Sequence, residues 1–297
     1  MLGLGLRSSQ SAGATSAPPA PSFATLLSSD FNIALSSSQK TESVNPIGGD
    51  VLAINPYTTG GSVRKAVLPA NWAQGYEAVT GTANPLVAND ITSVGVWDTK
   101  VVDGVTENIY PLSWANGLRQ TNSSNTGPQG PPTSRTDSTV DTTSSDNGRY
   151  IYSESSSTQS GYSNTNSSRV FLVRTPGINF SAAMSSTSNV VRVEMQAHGF
   201  GERIGKLQVW MDDASTSNTT TAVKVFEHDG FDQSLISSPY NVLNFEVSTI
   251  DLPGSGSIDV RTTDSNFYFY IVHEPGSEGS AFTADLAIDN FFIEEVS

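Results

Sequence analysis

The sequence contains no cysteine, and that absence excludes several classes of protein. A scaffold held by disulfides, a zinc site built on thiolates and a cysteine nucleophile all require this residue. With 297 residues, the chain is long enough to bury a hydrophobic core without such cross-links. We therefore expect one large β domain or two small domains, stabilised by packing and hydrogen bonding.

Charged residues are also scarce, at 15% of the sequence, and basic residues are in the minority. There are 15 Lys and Arg against 29 Asp and Glu, which gives a net charge of −14. Proteins that bind nucleic acid through its phosphates need clustered Lys and Arg, so we expect no nucleic-acid partner. No apolar run has the length of about 18 residues that a membrane-spanning helix requires, so we expect no membrane partner.

Ser, Thr, Asn and Gly are abundant, and this composition disfavours long helices. One modest helix-like cluster occurs, at residues 23–36. By contrast, apolar and polar residues alternate along Val191–Ala197, a pattern that buries one face of a strand and exposes the other. Similar runs, separated by turn signals such as Pro253-Gly254, lie at 206–211, 222–226, 243–247, 257–260, 267–272 and 284–296. Regularly spaced short strands predict an all-β sandwich or barrel.

The N-terminal part of the chain has a different composition. Residues 1–22 are rich in Ser, Ala and Pro and have too little apolar surface to fold alone, so we expect an extended arm held by a partner. The short apolar run that starts at Met1 is not preceded by a basic region. It is also shorter than the apolar core of a secretory signal, which has about 7–15 residues, so we expect no classical export signal. Residues 23–87 mix short β-type runs with Gly and Pro, and form either an attachment segment or a small β subdomain.

Residues 88–297 carry short motifs in a fixed order. They are Trp114 with Arg119, Thr126-Gly127-Pro128, Asp137-Ser138-Thr139, Gly148-Arg-Tyr150-Ile-Tyr152-Ser-Glu154, Leu172–Pro176, Gly199-Phe-Gly201, Gly205–Val209 and Asp285–Asn290. In order and spacing these motifs resemble the MAM-type jelly-roll domain, an adhesion module of animal ectodomains and of some bacterial and viral surface proteins. The resemblance implies a jelly-roll β-sandwich. The expected fold is therefore all-β, with an extended N-terminal arm and a small irregular N-terminal β segment.

The same resemblance implies a structural calcium ion. MAM-like and related jelly rolls often hold Ca²⁺ between the first strand, the loop after the Trp and the final strand, and the matching positions here are Asp98, Asp137 and Asp289. Calcium takes about six to eight oxygen ligands, which carboxylates help to supply. The alternative is that Asp289 belongs to a hydrogen-bond network, while Asp98 and Asp137 are ordinary turn residues.

Catalytic motifs are not evident in the sequence. The three histidines, His198, His228 and His273, form no metal-ligand pair, and we expect ordinary surface or strand-edge residues. The many Asp and Glu residues could supply two carboxylates for glycoside hydrolysis, but no spacing singles out a pair. We therefore expect a protein that is not an enzyme.

Two tyrosine pairs raise the question of a binding surface. Tyr150 and Tyr152 share one face of a predicted strand, and so do Tyr268 and Tyr270. Such residues form either a flat platform for sugars or a protein interface, or they pack against an inner sheet face. We favour packing on the inner face, because aromatic residues are strong strand formers.

The preferred functional hypothesis is a non-enzymatic structural protein of a bacteriophage virion. The Ser/Thr-rich composition, the short Met-Leu-Gly-Leu-Gly start and the absence of cysteine suit a particle that assembles in the reducing host cytoplasm. As a decoration, fibre or tail-adaptor component, the chain would attach to other virion proteins through residues 1–25. It would also form a homo-oligomer and display its jelly roll, with a host-surface glycan as a further partner. The alternative is a secreted, extracellular bacterial carbohydrate-binding or adhesion module, and a glycan hydrolase ranks third.

Overall fold

The structure is a computed structural model that describes residues 21–31, 68–74, 97–102, 104–112, 114–118, 149–153, 169–200, 204–215, 217–229, 231, 240–276 and 285–297. In the first half the strands are β1 (Phe23–Ser29), β2 (Ala73–Gln74), β3 (Asp98–Val102), β4 (Val105–Leu112), β5 (Ala115–Leu118) and β6 (Arg149–Ser153). They continue with β7 (Arg169–Arg174), β8 (Val190–Phe200), β9 (Lys206–Asp212), β10 (Val223–Asp229), β11 (Asn241–Val247), β12 (Thr249–Leu252), β13 (Gly256–Asp259), β14 (Tyr268–Glu274) and β15 (Asp285–Val296). A short helix, Phe180–Ala183, follows β7. The predicted all-β fold is confirmed.

Two large sheets form the sandwich. The smaller has the strand order β11-β8-β15-β6-β5, with β1 also paired to β15. The larger has the order β10-β9-β14-β7-β4-β3, with β2 also paired to β7. The pairing of β4 with β7 is parallel, whereas β14 pairs antiparallel with both β7 and β9. The outer faces of the neighbours β10, β9 and β14 form one continuous surface.

The hydrophobic core lies between the two sheets, where alternate residues of each strand point inward. From β8 these residues include Val191, Val193 and Met195, and from β9 they include Val209 and Met211; all five are fully buried. This period of two is the pattern expected when one face of a strand packs against a core. The β-sandwich is therefore built on the alternation visible in the sequence.

The outward residues of β8 differ from expectation. Alternation along Val191–Ala197 predicted a solvated outer face, but Glu194, Gln196 and His198 are all at least 95% buried. The outer face of β8 is covered at these three positions, and the ring of His198 lies 5.1 Å from that of Tyr240. Alternation marks the two faces of a strand correctly, but it does not reveal whether the polar face is later covered.

The predicted helix-like cluster at residues 23–36 is wrong for its first half, which is the strand β1. Phe23 pairs with Val296, and Ser29 pairs with Phe291, so β1 runs antiparallel to the C-terminal half of β15. Partnership with an existing strand outweighs local propensity, since each hydrogen-bonded residue pair of the antiparallel ladder satisfies two backbone N–H and two C=O groups. The strand stops before Phe31, a buried residue with a positive φ of 50°.

The described part of residues 23–87 belongs to the same sandwich. Besides β1, the short strand β2 pairs with Arg174 and Val173 of β7. The adjacent Trp72 lies between the two aromatic rings of Phe31 and Phe291, with centroids 5.1 and 5.5 Å away. The predicted boundary at residue 88 lies outside the described residues, as does most of the predicted arm at 1–22.

Candidate functional site

A groove of about 340 Å³ lies on the outer face of the larger sheet. Its floor comes from β9, β10 and β14, and residues of β3 and β4 close one side. The lining residues are Trp97, Asp98, Thr99, Lys100, Ile109, Val170, Lys206, Gln208, Trp210, Lys224, Glu227, Val272 and Glu274. The groove combines two indole rings with six charged side chains and one amide, so apolar and polar groups converge there as they do in ligand-binding sites.

One wall of the groove is aromatic. Trp97 packs edge-to-face against Trp210, with ring centroids 6.0 Å apart, and lies 5.7 Å from Tyr270. The backbone of Trp97 is held over the sheet at both polar groups: its N–H donates to the Ile109 carbonyl, and its carbonyl accepts from the N–H of Thr219. Trp97 is 4% exposed, whereas Trp210 keeps part of its ring accessible.

The orientation of Trp210 is fixed by its neighbour on the same face of β9. The indole N–H of Trp210 donates a 2.8 Å hydrogen bond to Oε1 of Gln208. The amide nitrogen of Gln208 in turn donates to Oε2 of Glu227 on β10 and to Oε2 of Glu274 on β14, both at 3.2 Å. Three adjacent strands thus contribute one connected polar network, and its central amide has only one possible orientation.

Two lysines complete this network around Glu227. Lys224 Nζ lies 2.5 Å from Oε2 of Glu227, and Lys206 Nζ lies 3.3 Å from Oε1. Hydrogen bonding to Lys224, with a further contribution from Lys206, lowers the pKa of Glu227 despite partial burial. The same carboxylate raises the pKa of Lys206. Both groups are therefore ionised over the whole neutral range, and Glu227 acts as a hydrogen-bond acceptor.

The three predicted calcium ligands have different positions in the structure. Asp98 begins β3 at the edge of the groove, where its Oδ1 accepts hydrogen bonds from the N–H of Thr99 and the hydroxyl of Thr219. Asp289 lies in the other sheet, on β15, and Asp137 lies outside the described residues. Among the residues that the structure describes, no group of three or more His, Cys, Asp or Glu side chains is arranged to hold a metal ion.

Asp289 is an unusual carboxyl group. It is 3% exposed, and within the described part of the chain its Oδ1 has no hydrogen-bond partner. Burial raises the pKa of Asp289 well above its ordinary value; the Asn290 backbone opposes this increase and the charge of Asp30 adds to it. A cation is one way to satisfy such an oxygen, and a proton is another.

Tyr150, Tyr152 and Tyr270 are buried and Tyr268 is partly buried, but none of the four lies on an inner face. Tyr150 and Tyr152 pack with Tyr240 on the outer face of the smaller sheet, while Ile151 between them points into the core. Tyr270 packs with Trp97 on the outer face of the larger sheet. The prediction that Tyr150, Tyr152 and Tyr270 are packed is thus correct, but the predicted inner face is wrong, because the outer faces are covered at these positions.

The histidines are less exposed than expected. His198 and His273 are fully buried, and His228 packs edge-to-face on Phe231 at 4.5 Å. His273 points into the core, where its Nδ1 lies 2.6 Å from the hydroxyl of Ser153 and its Nε2 lies 2.5 Å from the Ile204 carbonyl. Burial lowers the pKa of His273 to about 4, against a smaller opposing effect of the Ile204 carbonyl.

Sequence reasoning missed the residues of the groove, apart from Asp98. One signal was available: Trp210 occupies the polar phase of β9, opposite to Leu207, Val209 and Met211. A tryptophan among outward-facing polar residues indicates a surface that can bind a ligand. The acidic partners Glu227 and Glu274 had no such signal, because their strands become neighbours of β9 only in the folded sheet.

Comparisons with protein-family models and with curated proteins find no match. Comparison with solved structures finds chains that resemble part of this one. The K1 cleaved adhesin domain of Lys-gingipain from Porphyromonas gingivalis W83 is 10% identical, with a TM-score of 0.32, over 61% of this chain and 82% of that one. The K3 domain of the same protein is 8% identical, with a TM-score of 0.28, over 51% and 75%.

A third similar structure is the family 11 carbohydrate-binding module from Clostridium thermocellum in complex with a β-1,3-1,4-mixed-linked tetrasaccharide. It is 9% identical, with a TM-score of 0.28, over 50% of this chain and 76% of that one. At these TM-scores the likeness assigns no residue of this chain to a site.

In the described part of the chain, no helix is long and apolar enough to cross a membrane.

Proposed function

We propose that this chain is a non-enzymatic, glycan-binding β-sandwich whose ligand occupies the groove on the larger sheet. The observation that carries the proposal is Trp210, whose partly accessible indole is held in one orientation by Gln208. A sugar ring has an apolar face of C–H groups and a rim of hydroxyls. An oriented aromatic ring beside fixed polar groups matches both features, and it loses little conformational entropy on binding.

The polar network supplies partners for the hydroxyls. Glu227 and Glu274 flank Gln208, and each accepts a hydrogen bond from its amide, which leaves further lone pairs on both carboxylates to accept hydroxyl protons. Lys206 and Lys224, each with a side chain 40% exposed, can donate to hydroxyl oxygens. Because the network is formed before any ligand arrives, little reorganisation is needed.

Binding suits the groove better than hydrolysis does. Glycosidases need one carboxyl group that keeps a proton near neutral pH and donates it to the leaving oxygen. Hydrogen bonds from Lys224 and Lys206 lower the pKa of Glu227, so this carboxyl is a poor proton donor. The chemistry of Glu227 therefore supports recognition of hydroxyl groups.

A comparison of two aromatic substitutions tests the proposal. In Trp210→Ala, affinity for an immobilised glycan that the full chain binds should fall at least about tenfold. The matched control is Phe23→Ala, which removes another accessible aromatic ring, 47% exposed, from a strand of the other sheet. Glycan-array profiles followed by titration calorimetry would measure both. Failure of the wild-type chain to bind any glycan, or equal affinity of Trp210→Ala and wild type, would exclude the proposed function.

The setting in which the groove works is part of the proposal. The absence of cysteine suits a bacteriophage virion assembled in a reducing cytoplasm, with a secreted bacterial module as the alternative. The side-chain oxygens of Ser22 and Ser297 are 2.6 Å apart, so the last residue of the predicted arm lies beside Ser297. Deletion of residues 1–22 should leave the fold intact and prevent incorporation into particles, as measured by mass spectrometry of purified virions. Full incorporation of the truncated chain would contradict attachment through the arm.

A further inference from the structure

The groove is electrically balanced, although the chain as a whole carries a net charge of −14. Its lining includes three basic and three acidic side chains, namely Lys100, Lys206, Lys224, Asp98, Glu227 and Glu274. The formal charges of these six groups add to zero. The groove therefore offers no excess of positive charge to an anionic ligand, and the surrounding protein is acidic.

The two lysines on β9 and β10 already form ion pairs with carboxylates. Lys224 and Lys206 both pair with Glu227, and Lys206 also lies 4.0 Å from Asp229. An anionic group that approached either lysine would lie beside the Glu227 carboxylate. Charges this close repel each other at physiological salt, where screening acts over about 8 Å.

The hydrogen-bonding groups of the groove alternate between donors and acceptors. Lysine ammonium groups donate, whereas Glu227 and Glu274 accept, and these side chains lie on three adjacent strands. A hydroxyl group can both donate and accept, so a ring that carries several hydroxyls can satisfy both kinds of partner. A carboxylate or sulfate group can only accept, and it would leave the two glutamates facing a like charge.

We infer that the groove selects neutral saccharides and rejects saccharides that carry carboxylate or sulfate groups. This inference rests on the proposed function and adds the class of ligand to it. Glu274 is the residue best placed to enforce the selection, because it bonds to Gln208 and lies beyond salt-bridge distance of Lys206, its cross-strand neighbour on β9, whereas Glu227 pairs with both Lys206 and Lys224.

The test uses the full chain on an array of matched glycan pairs, in which the two members differ only by a uronate, sialate or sulfate group. We expect every bound glycan to be the neutral member of its pair, with at least about tenfold weaker binding of the charged member at physiological salt. Binding to no member of the array would overturn the proposed function and this inference together. Equal or stronger binding of charged members would overturn the inference alone.

A charge-neutralising substitution separates electrostatic rejection from steric rejection. Glu274→Gln keeps the shape of the side chain and gives the groove a formal charge of +1. We expect the preference for the neutral member of each pair to shrink at least about threefold, and to shrink further at low salt. The control is Glu246→Gln, which makes the same change at an exposed position on β11 of the other sheet and should leave the preference unchanged. An unaltered preference in Glu274→Gln, or an equal loss in Glu246→Gln, would overturn the inference.

Discussion

The indole nitrogen of Trp210 donates a hydrogen bond to the side-chain carbonyl of Gln208, two residues earlier on the same face of β9. This bond consumes one acceptor site of Gln208 and directs its amide nitrogen toward Glu227 and Glu274. A single glutamine thereby orients both the aromatic ring and the two carboxylates of the groove. Its side chain is almost buried, at 7% exposure, so its role is to position its neighbours.

Replacement of Gln208 should lower the affinity for glycan more than it lowers the free energy of unfolding. Gln208→Leu keeps the apolar volume but removes all three hydrogen bonds, which frees the indole of Trp210 to rotate. We expect glycan affinity to fall about tenfold, corresponding to about 1.4 kcal/mol, with a smaller change in the free energy of unfolding. Titration calorimetry and urea unfolding on the same preparation would measure the two effects. Unchanged affinity would show that the orientation of Trp210 does not depend on Gln208.

Phe267, which directly precedes β14, and Trp210 on the neighbouring strand β9 should differ strongly in their contribution to stability. Phe267 is fully buried in the core and stacks on Phe180 at 6.2 Å, whereas Trp210 is partly exposed on the outer face. Phe267→Ala should therefore cost about 3–5 kcal/mol, while Trp210→Ala should cost less than about 2 kcal/mol. Urea unfolding of both variants gives the comparison. Similar midpoints with similar slopes would contradict the assignment of inner and outer faces.

The strands after residue 190 were predictable because alternation is a local signal. Val191, Val193 and Met195 follow a period of two that any fold must satisfy once one face is buried. The strand β1 was missed because its sequence, FATLLSS, does not alternate, and pairing with β15 at the far end of the chain stabilises it. That pairing joins residues about 270 positions apart, and no local pattern encodes it.

The groove could not be predicted from the sequence for the same reason. Trp210 and Gln208 could be placed on one face of β9 from sequence alone, but Glu227 and Glu274 come from β10 and β14. The strand order β10-β9-β14 brings together residues whose separation along the chain ranges from 19 to 66 positions. A site built across strands requires the topology before its members can be recognised.

Stability should fall in mild acid because of His273. Its pKa is lowered to about 4 in the folded protein, mainly by burial, whereas an unfolded chain has the ordinary value near 6.5. Between these values the unfolded state binds a proton that the folded state does not bind. The contribution of neutral His273 to the free energy of unfolding is therefore complete above pH 6.5. It is lost progressively as the pH falls to about 4, and the total loss is up to about 3 kcal/mol.

Substitution with a neutral residue isolates this effect. His273→Gln removes the titrating group and keeps a side chain that can bond to Ser153 and the Ile204 carbonyl. We expect the variant to be less stable than wild type at pH 7, with a smaller loss of stability between pH 6.5 and 4.5. Urea unfolding across this pH range would measure the difference. Parallel pH profiles for the two proteins would show that His273 does not cause the acid sensitivity.

The calcium prediction concentrates on Asp289, whose buried Oδ1 lacks a hydrogen-bond partner in the described part of the chain. A cation that binds only the folded state stabilises it by about 2.7 kcal/mol at a hundredfold excess over Kd. Millimolar calcium should therefore raise the Tm, and a chelator should lower it. Asp289→Asn should abolish the response, because an amide replaces the carboxylate at the same volume.

Asp98→Asn is the variant for comparison. Asp98 lies in the other sheet and already accepts hydrogen bonds from Thr99 and Thr219. A response that survives in Asp98→Asn but not in Asp289→Asn would place the ion on the smaller sheet. A wild-type Tm that is the same in chelator and in calcium would exclude the ion.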